Sequence, residues 1–405
     1  MVPAVVGSSP IDHPDMRIAL FTDTFPPQIN GVANHVATLA EEFVSRGHAV
    51  CVVTVSAEKM WGGSIESSAG YSIIAVPSLP AFVAQGSRAA MPSPVLVQEL
   101  RRFAPDVVHV HTPMAVGWMG MHVSRRLKIP LVGTNHTFFD IYFREAGMPQ
   151  IQELSWRYVM SFYNRCTQLI APSLSMKRAF EAHKVRMPVV RVENGIDLVR
   201  FSPSQSKEVK RELQKSLGYG AKNIIYLGRL SAEKRVDAVI EAFGQVSVHV
   251  PDAQLVIAGD GPERQSLEQM VQERGLVDKV HFAGFVRGEE LTNILRASDL
   301  FVSGSQFENM PLSVLEAMAC GLPVVAVRSL GMIEIVRDGT EGTLSEDASA
   351  QGLAQHMQTI ISDDELRERM SLAARERSMH FSQRRMTDRI ENIYNEVIAL
   401  HKKKS

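Results

Sequence analysis

The chain has 405 residues, 45% apolar and 21% charged, with 43 basic and 44 acidic side chains and a net charge of -1. That balance is ordinary for a folded globular protein and excludes a disordered, collagenous or wholly membrane-embedded chain. At roughly 150 residues per domain the length suits two or three domains, and the lack of a global basic field speaks against nucleic acid as a partner.

Residues 1–15, MVPAVVGSSPIDHPD, have no basic start and only a short apolar patch, so they read as a flexible tail and not as a signal peptide. Strand and helix patterns then alternate. Arg17–Asp23 is an apolar run ending at the loop TFPPQING. A helical pattern follows from Val32 to Arg46, with Val36, Leu39, Ala40 and Phe43 at helix spacing and Gly47 at its close. Ala49–Val55 is continuous and β-branched, the pattern of a strand buried on both faces. Strand, loop, helix, strand is a βαβ unit, which implies a parallel sheet. Ser72–Val76, Val107–His111, Leu131–Asn135, Leu169–Ser173 and Val189–Glu193 are expected as further strands.

The rhythm restarts near residue 223. Strands are expected at Asn223–Leu227, Gln254–Ala258, Val280–Ala283, Leu300–Ser303 and Pro323–Val327, with helices at Val236–Val248, Leu312–Ala319 and Asp364–Arg377. Two such series predict an α/β chain of two doubly wound, Rossmann-like domains facing across a cleft: 16–195 and 196–385, joined within 193–206. A last helix within 386–405 is expected to pack back on the first domain.

Ligands of parallel sheets sit at the carboxyl ends of the strands, so the loops there carry the candidate chemistry. In FPPQINGVANH, Gly31 opens a helix whose N-terminus favours an anion; an ordinary glycine turn is the plain alternative. In GRLSAEKR, Arg229 and Lys234 lie just beyond a strand and suit a pyrophosphate, against the alternative of two solvated cations. SQFENMPLSVLEAMACGLPVV places Glu308 on a loop and Glu316 eight positions later on a helix. The N–H groups of Met310, Leu312 and Ser313 lie at that helix start. Two salt-bridged glutamates are the alternative. His111 and His136 each follow a strand of the first domain, as pocket residues or as structural hydrogen-bonders. No acidic partner has metal spacing with them, and no Asp-x-Asp ends a strand, so no metal is expected. Asp363 and Asp364 mark a helix start. Cys51, Cys166 and Cys320 show neither disulfide nor metal spacing and read as reduced, cytosolic thiols.

Together FTDTFPPQINGVANHVATLAEEFVSRGHAV, GRLSAEKR, VIAGDGPER and ENMPLSVLEAMACGLPVVA resemble glycosyltransferase family 4, retaining enzymes of GT-B fold, over nearly all of residues 16–400. The resemblance implies a hexosyltransferase. Gly31 would face the donor diphosphate, and Arg229 and Lys234 would bind it and stabilise it as it leaves. Glu308 would bond the transferred sugar, Glu316 the ribose, and His136 would line the sugar pocket. Backbone around Phe285 and Val286 would meet the base, with Asn309, Met310 and Leu312 completing the donor site. The family has glycine where Asn309 stands, which alters the position beside the donor sugar. No cofactor or metal is implied, since cations and helix N–H groups take that role.

UDP-glucose is the first donor expected and GDP-mannose the second. The acceptor would be a lipid such as diacylglycerol or a small-molecule hydroxyl. TDTFPPQINGV and HTFFDIY look most like the diacylglycerol and sulfoquinovosyl-type members of the family, hence glycolipid synthesis. His111, Phe139, Tyr142 and Arg144 are the acceptor-side candidates. The aromatics of 138–148, with Arg144, Arg157, Arg165, Lys177 and Arg178, would let a peripheral enzyme rest on an anionic membrane from the cytoplasmic side. A core-packed aromatic helix is the other reading. A nucleotide-sugar epimerase and a non-catalytic sugar-nucleotide-binding protein are the rival functions.

Overall fold

The computed structural model describes residues 16–28, 30–56, 63–66, 69–80, 88–138 and 151–403. Among the described residues ten strands fall in the first half: β1 (Arg17–Phe21), β2 (Ala49–Val55), β3 (Gly63–Glu66), β4 (Ser72–Val76), β5 (Ser78–Pro80), β6 (Arg88–Ala90), β7 (Val107–Val110), β8 (Leu131–Thr134), β9 (Gln168–Ala171) and β10 (Val189–Arg191). Six follow: β11 (Lys222–Leu227), β12 (Ala253–Ala258), β13 (Val280–Gly284), β14 (Leu300–Ser303), β15 (Val324–Val327) and β16 (Gly342–Ser345). The first sheet runs β10-β9-β8-β7-β1-β2-β4-β3 and is parallel except for the β3–β4 pair. The second runs β13-β12-β11-β14-β15-β16 and is parallel throughout. Short β5 and β6 pair on their own.

The strands are apolar on both faces because helices cover both. Ile18 to Phe21 and all of Val324–Val327 are buried, and each such aliphatic side chain contributes about 1.5–3 kcal/mol on burial. Helix starts are fixed by local chemistry: Asn30 accepts a hydrogen bond from the Ala33 N–H, Ser173 from Met176 and Asp363 from Leu366.

The last helix, Gln383–Lys402, belongs to the core of the first domain. Its Met386, Ile390, Ile393, Tyr394 and Val397 share one cluster with Ile18, Leu20, Val36 and Leu39. Tyr394 stacks on Phe43 at 5.5 Å, and Arg46 pairs with Asp388 and Glu391. The chain therefore crosses between the domains twice, and the two crossings touch. The Ile196 N–H bonds the Phe381 carbonyl at 2.8 Å, and the Gln383 N–H bonds the Ile196 carbonyl at 2.9 Å. A Cβ at Gly195 would sit 2.6 Å from the Gln383 Cα, so only glycine fits this approach.

Strand order reverses at β1 in the first sheet, between β2 and β7, and at β11 in the second, between β12 and β14. These are the topological switch points, where doubly wound sheets open a crevice at their carboxyl ends.

Candidate active site

In the second domain the crevice is lined by the loops after β11 and β14. The first of these, starting at Gly228, is pinned to the loop after β12. The Leu230 N–H bonds the Asp260 carbonyl, and the Tyr226 hydroxyl bonds the Arg229 carbonyl at 2.9 Å. The two loops approach so closely that a Cβ at Gly259 would lie 1.8 Å from the Gly228 carbonyl oxygen. This pinning leaves the Arg229 side chain exposed and places Lys234 at the end of a 3-10 turn, Ala232–Lys234. Lys234 Nζ lies 2.6 Å from Glu308 Oε1, with 27% and 15% of the side chains exposed. Two residues from separate motifs thus meet as an ion pair.

Glu316 is the fifth residue of the helix Leu312–Ala319 and is partly buried. Desolvation pushes its carboxyl up to about 7, opposed by the charge of Arg200. Met310 is buried, and its carbonyl accepts a hydrogen bond from the Asn194 side chain at 3.0 Å. Phe285 follows β13 with 43% of its surface exposed, while Val286 is buried.

The first domain lines its side with histidines. His35 lies on the helix Gly31–Ser45, His109 and His111 at the end of β7, and His136 after β8. Gly31 is exposed, and a Cβ there would meet nothing within 4 Å. His111 Nδ1 and His136 Nε2 are 3.2 Å apart, and the His35 ring centroid lies 4.7 Å from that of His136. His109 is held by the Tyr394 hydroxyl and Thr134 Oγ1. Burial, reinforced by repulsion between neighbouring rings, pushes His109 down to about 3 and His111 and His136 well below the usual range; burial alone takes His35 to about 4. All four rings are neutral near pH 7. Ligand nitrogens of His35, His111 and His136 lie within 4.8 Å of one another, so the fold supplies the third imidazole that sequence spacing did not.

The Asn309 side chain is turned to the other domain: it accepts from the Ser173 hydroxyl at 2.5 Å and donates to the His136 carbonyl at 3.1 Å. The Glu308 carboxylate is paired with Lys234. Among the acceptor-side candidates, Phe139, Tyr142 and Arg144 lie outside the described residues, whereas Phe138 packs on the core. Sequence reasoning missed His35, Ser173 and Glu334. Only His35 left a sequence trace, a lone histidine four residues beyond Gly31.

A family model described as Glycosyltransferase Family 4 matches residues 29–200, and one described as Glycosyl transferases group 1 matches residues 209–377. An alpha-monoglucosyldiacylglycerol synthase of Streptococcus pneumoniae is 31% identical over 335 residues, 81% of this chain and 75% of its own. The chain belongs to glycosyltransferase family 4. This glycosyltransferase is also 28% identical to a GDP-mannose-dependent alpha-mannosyltransferase of Corynebacterium glutamicum, over 95% of this chain and 90% of that one. Sucrose-phosphate synthase from Thermosynechococcus elongatus superposes with a TM-score of 0.79 at 21% identity, covering 95% of this chain and all of that one. The glycosyltransferase thus has the GT-B fold, two Rossmann-like domains on parallel sheets. No helix among the described residues is long and apolar enough to cross a membrane.

Proposed function

We propose that this glycosyltransferase moves a hexose, with retention at the anomeric carbon, from a nucleotide sugar to the hydroxyl of a lipid such as diacylglycerol or of a small molecule. The observation that carries this reading is the meeting of Lys234 and Glu308 at the second switch point, with Arg229 exposed on the same loop. Departure of a nucleoside diphosphate leaves negative charge on its oxygens and positive character on the anomeric carbon; the acceptor oxygen bonds that carbon on the face the diphosphate leaves, and the hydroxyl proton passes to the departing phosphate. Arg229 and Lys234 stabilise the negative charge, without solvent reorganisation. Glu308 exchanges its bond to Lys234 for sugar hydroxyls, and Glu316 accepts the ribose hydroxyls. Met310, Leu312 and the helix start behind them face the phosphates, the backbone at Phe285 and Val286 meets the base, and Gly31 admits the diphosphate from the other side. Neutral His136 and His111 line the sugar and acceptor side as hydrogen-bonding groups that add no charge beside the oxocarbenium. Cationic side chains fill the role a metal plays elsewhere, so turnover requires none.

The first donor is UDP-glucose, in keeping with the glucosyl relative at 31% identity; GDP-mannose follows, in keeping with the mannosyl relative at 28%. For a lipid acceptor the enzyme works at the cytoplasmic face of an anionic membrane. Exposed Leu154 and Tyr158 share one helix with exposed Arg157, and Arg165 lies over the Trp118 ring that bonds Tyr158. The test offers each nucleotide sugar with diacylglycerol vesicles and reads product and free nucleotide by mass spectrometry. Hexosyl lipid with UDP supports the reading; an epimerised donor without acceptor product refutes it. Anionic vesicles should also sediment the enzyme at low salt, and Phe139→Ser with Phe143→Ser should weaken this while leaving nucleotide binding intact.

A further inference from the structure

We infer that Asn309 is a positioning residue that sets the register of the two domains across the sugar pocket. The inference rests on the donor-site reading above, because it concerns the neighbour of Glu308. The orientation of the Asn309 amide is dictated by its partners. The His136 carbonyl can only accept, so it faces Nδ2 at 3.1 Å. The one proton of the Ser173 hydroxyl goes to Oδ1, while a lone pair of the same oxygen accepts from the Met176 N–H at 3.0 Å. Ser173 is fully buried, so this bond sits in a poorly solvated place. A single side chain thereby joins the residue that carries the histidine ring to the residue next to Glu308.

A second contact lands on the same element. The Glu334 carboxylate, from the second domain, accepts the Leu174 N–H at 2.6 Å, the Ser175 N–H at 2.8 Å and the Ser175 hydroxyl at 2.7 Å. These are the first groups of the helix Leu174–Ala182, whose N-terminal dipole favours a carboxylate. The Gly331 N–H bonds the Glu308 carbonyl at 2.9 Å, which ties the loop before Glu334 to the loop that bears Glu308 and Asn309. Linked loops of the second domain therefore hold one helix start of the first. Glycine at 309, the residue the family resemblance leads one to expect, would leave the His136 carbonyl and the Ser173 hydroxyl without this link. Asn309 accordingly acts on turnover more than on nucleotide affinity, since the nucleotide is held within the second domain while the sugar pocket needs both.

The experiment compares wild type with Asn309→Gly, which removes the bridge, and Asn309→Asp, which keeps its size and its acceptor but cannot donate to the His136 carbonyl. Circular dichroism melts establish that each variant is folded. Both should lower kcat roughly tenfold, with the Kd for free UDP (or GDP, whichever the enzyme binds) held within about twofold. By hydrogen exchange of the nucleotide-bound enzyme, the Leu174 and Ser175 amides should open on the order of ten times faster. Wild-type kcat in both variants overturns the inference. So does a fall in kcat with unchanged exchange at those amides, which would put Asn309 directly on the sugar. A nucleotide affinity lost in step with kcat overturns it as well. Glu308→Gln separates this role from the donor reading. If that variant turns over normally, the donor site is misassigned. If it loses turnover while both Asn309 variants keep theirs, the donor site stands and only the positioning role falls.

Discussion

The first domain brings four imidazoles together and keeps them neutral, whereas the second brings opposite charges together. His35, His109, His111 and His136 lie ring against ring, and burial holds them below their ordinary range. Across the cleft Lys234 and Glu308 are in contact, Arg229 stands exposed, and Glu316 is a carboxyl pushed towards neutrality by burial, against the opposing charge of Arg200. A group that stabilises a leaving diphosphate must be charged before the reaction begins. An imidazole that lines a sugar forming an oxocarbenium serves best uncharged, because a cation there would raise the barrier. The division of charge between the walls matches the division of labour proposed for them.

Breaking the charged wall should have the largest effect. Arg229→Ala or Lys234→Ala should lower kcat/KM at least ~100-fold, since one transition-state contact of this kind is worth roughly 3 kcal/mol. Melting curves should stay close to wild type, because neither cation belongs to the apolar core. Near-normal turnover of both folded variants would remove the diphosphate clamp from the mechanism.

The two glutamates sharpen the comparison within that wall. The ribose changes little along the reaction and the hexose changes most, so Glu316→Gln should chiefly raise the donor KM and weaken free UDP, by about tenfold. Glu308→Gln should chiefly depress kcat, by roughly ten- to a hundredfold, and leave UDP affinity nearly unchanged. Calorimetry with UDP beside donor kinetics reads both. The reverse pattern would exchange the two assignments.

A smaller, pH-dependent effect separates carboxyl from imidazole. The Glu316 carboxyl is raised in the folded protein to about 7, so the cost of burying its charge is absent below about 4.5, grows between and is complete above 7. Glu316→Gln should therefore raise the melting temperature at pH 8 and leave it unchanged at pH 4.5. In wild type, donor affinity should increase as pH rises through about 7, when Glu316 gains the charge with which it accepts ribose hydroxyls, and this step should vanish in the variant. The histidines work in the opposite sense. With folded values depressed, His35 to about 4, their contribution to stability is intact above 6.5 and fades as pH falls towards 4. An activity step near 6.5 that survives in Glu316→Gln would show that one imidazole is charged after all.

The smallest expected effect is that of a chelator. Saturating EDTA should leave most of the activity in place. Loss of turnover that magnesium or manganese restores would contradict the cationic clamp, and loss that only zinc restores would point to His35, His111 and His136.

The amino-acid sequence by itself determined the two parallel sheets, because strands covered on both faces must be continuously apolar. Leu300–Ser303 and Leu312–Ala319 begin and end where periodicity alone put them. It also determined which loops matter, since glycines and cations after buried strands are local signals. The polar β16 and the short β5–β6 pair carry no such pattern and were not legible. Tertiary structure alone decided which of those groups touch. Lys234 and Glu308 are 74 positions apart, and His136 and Asn309 are 173 apart. No local rule couples such distances; they close only because β11 and β14 are neighbours and because the chain crosses twice between the domains. The same holds for the histidines: any one of them reads as an ordinary polar residue, and their shared neutrality arises from burial against one another, a property of the assembled wall and of no single segment.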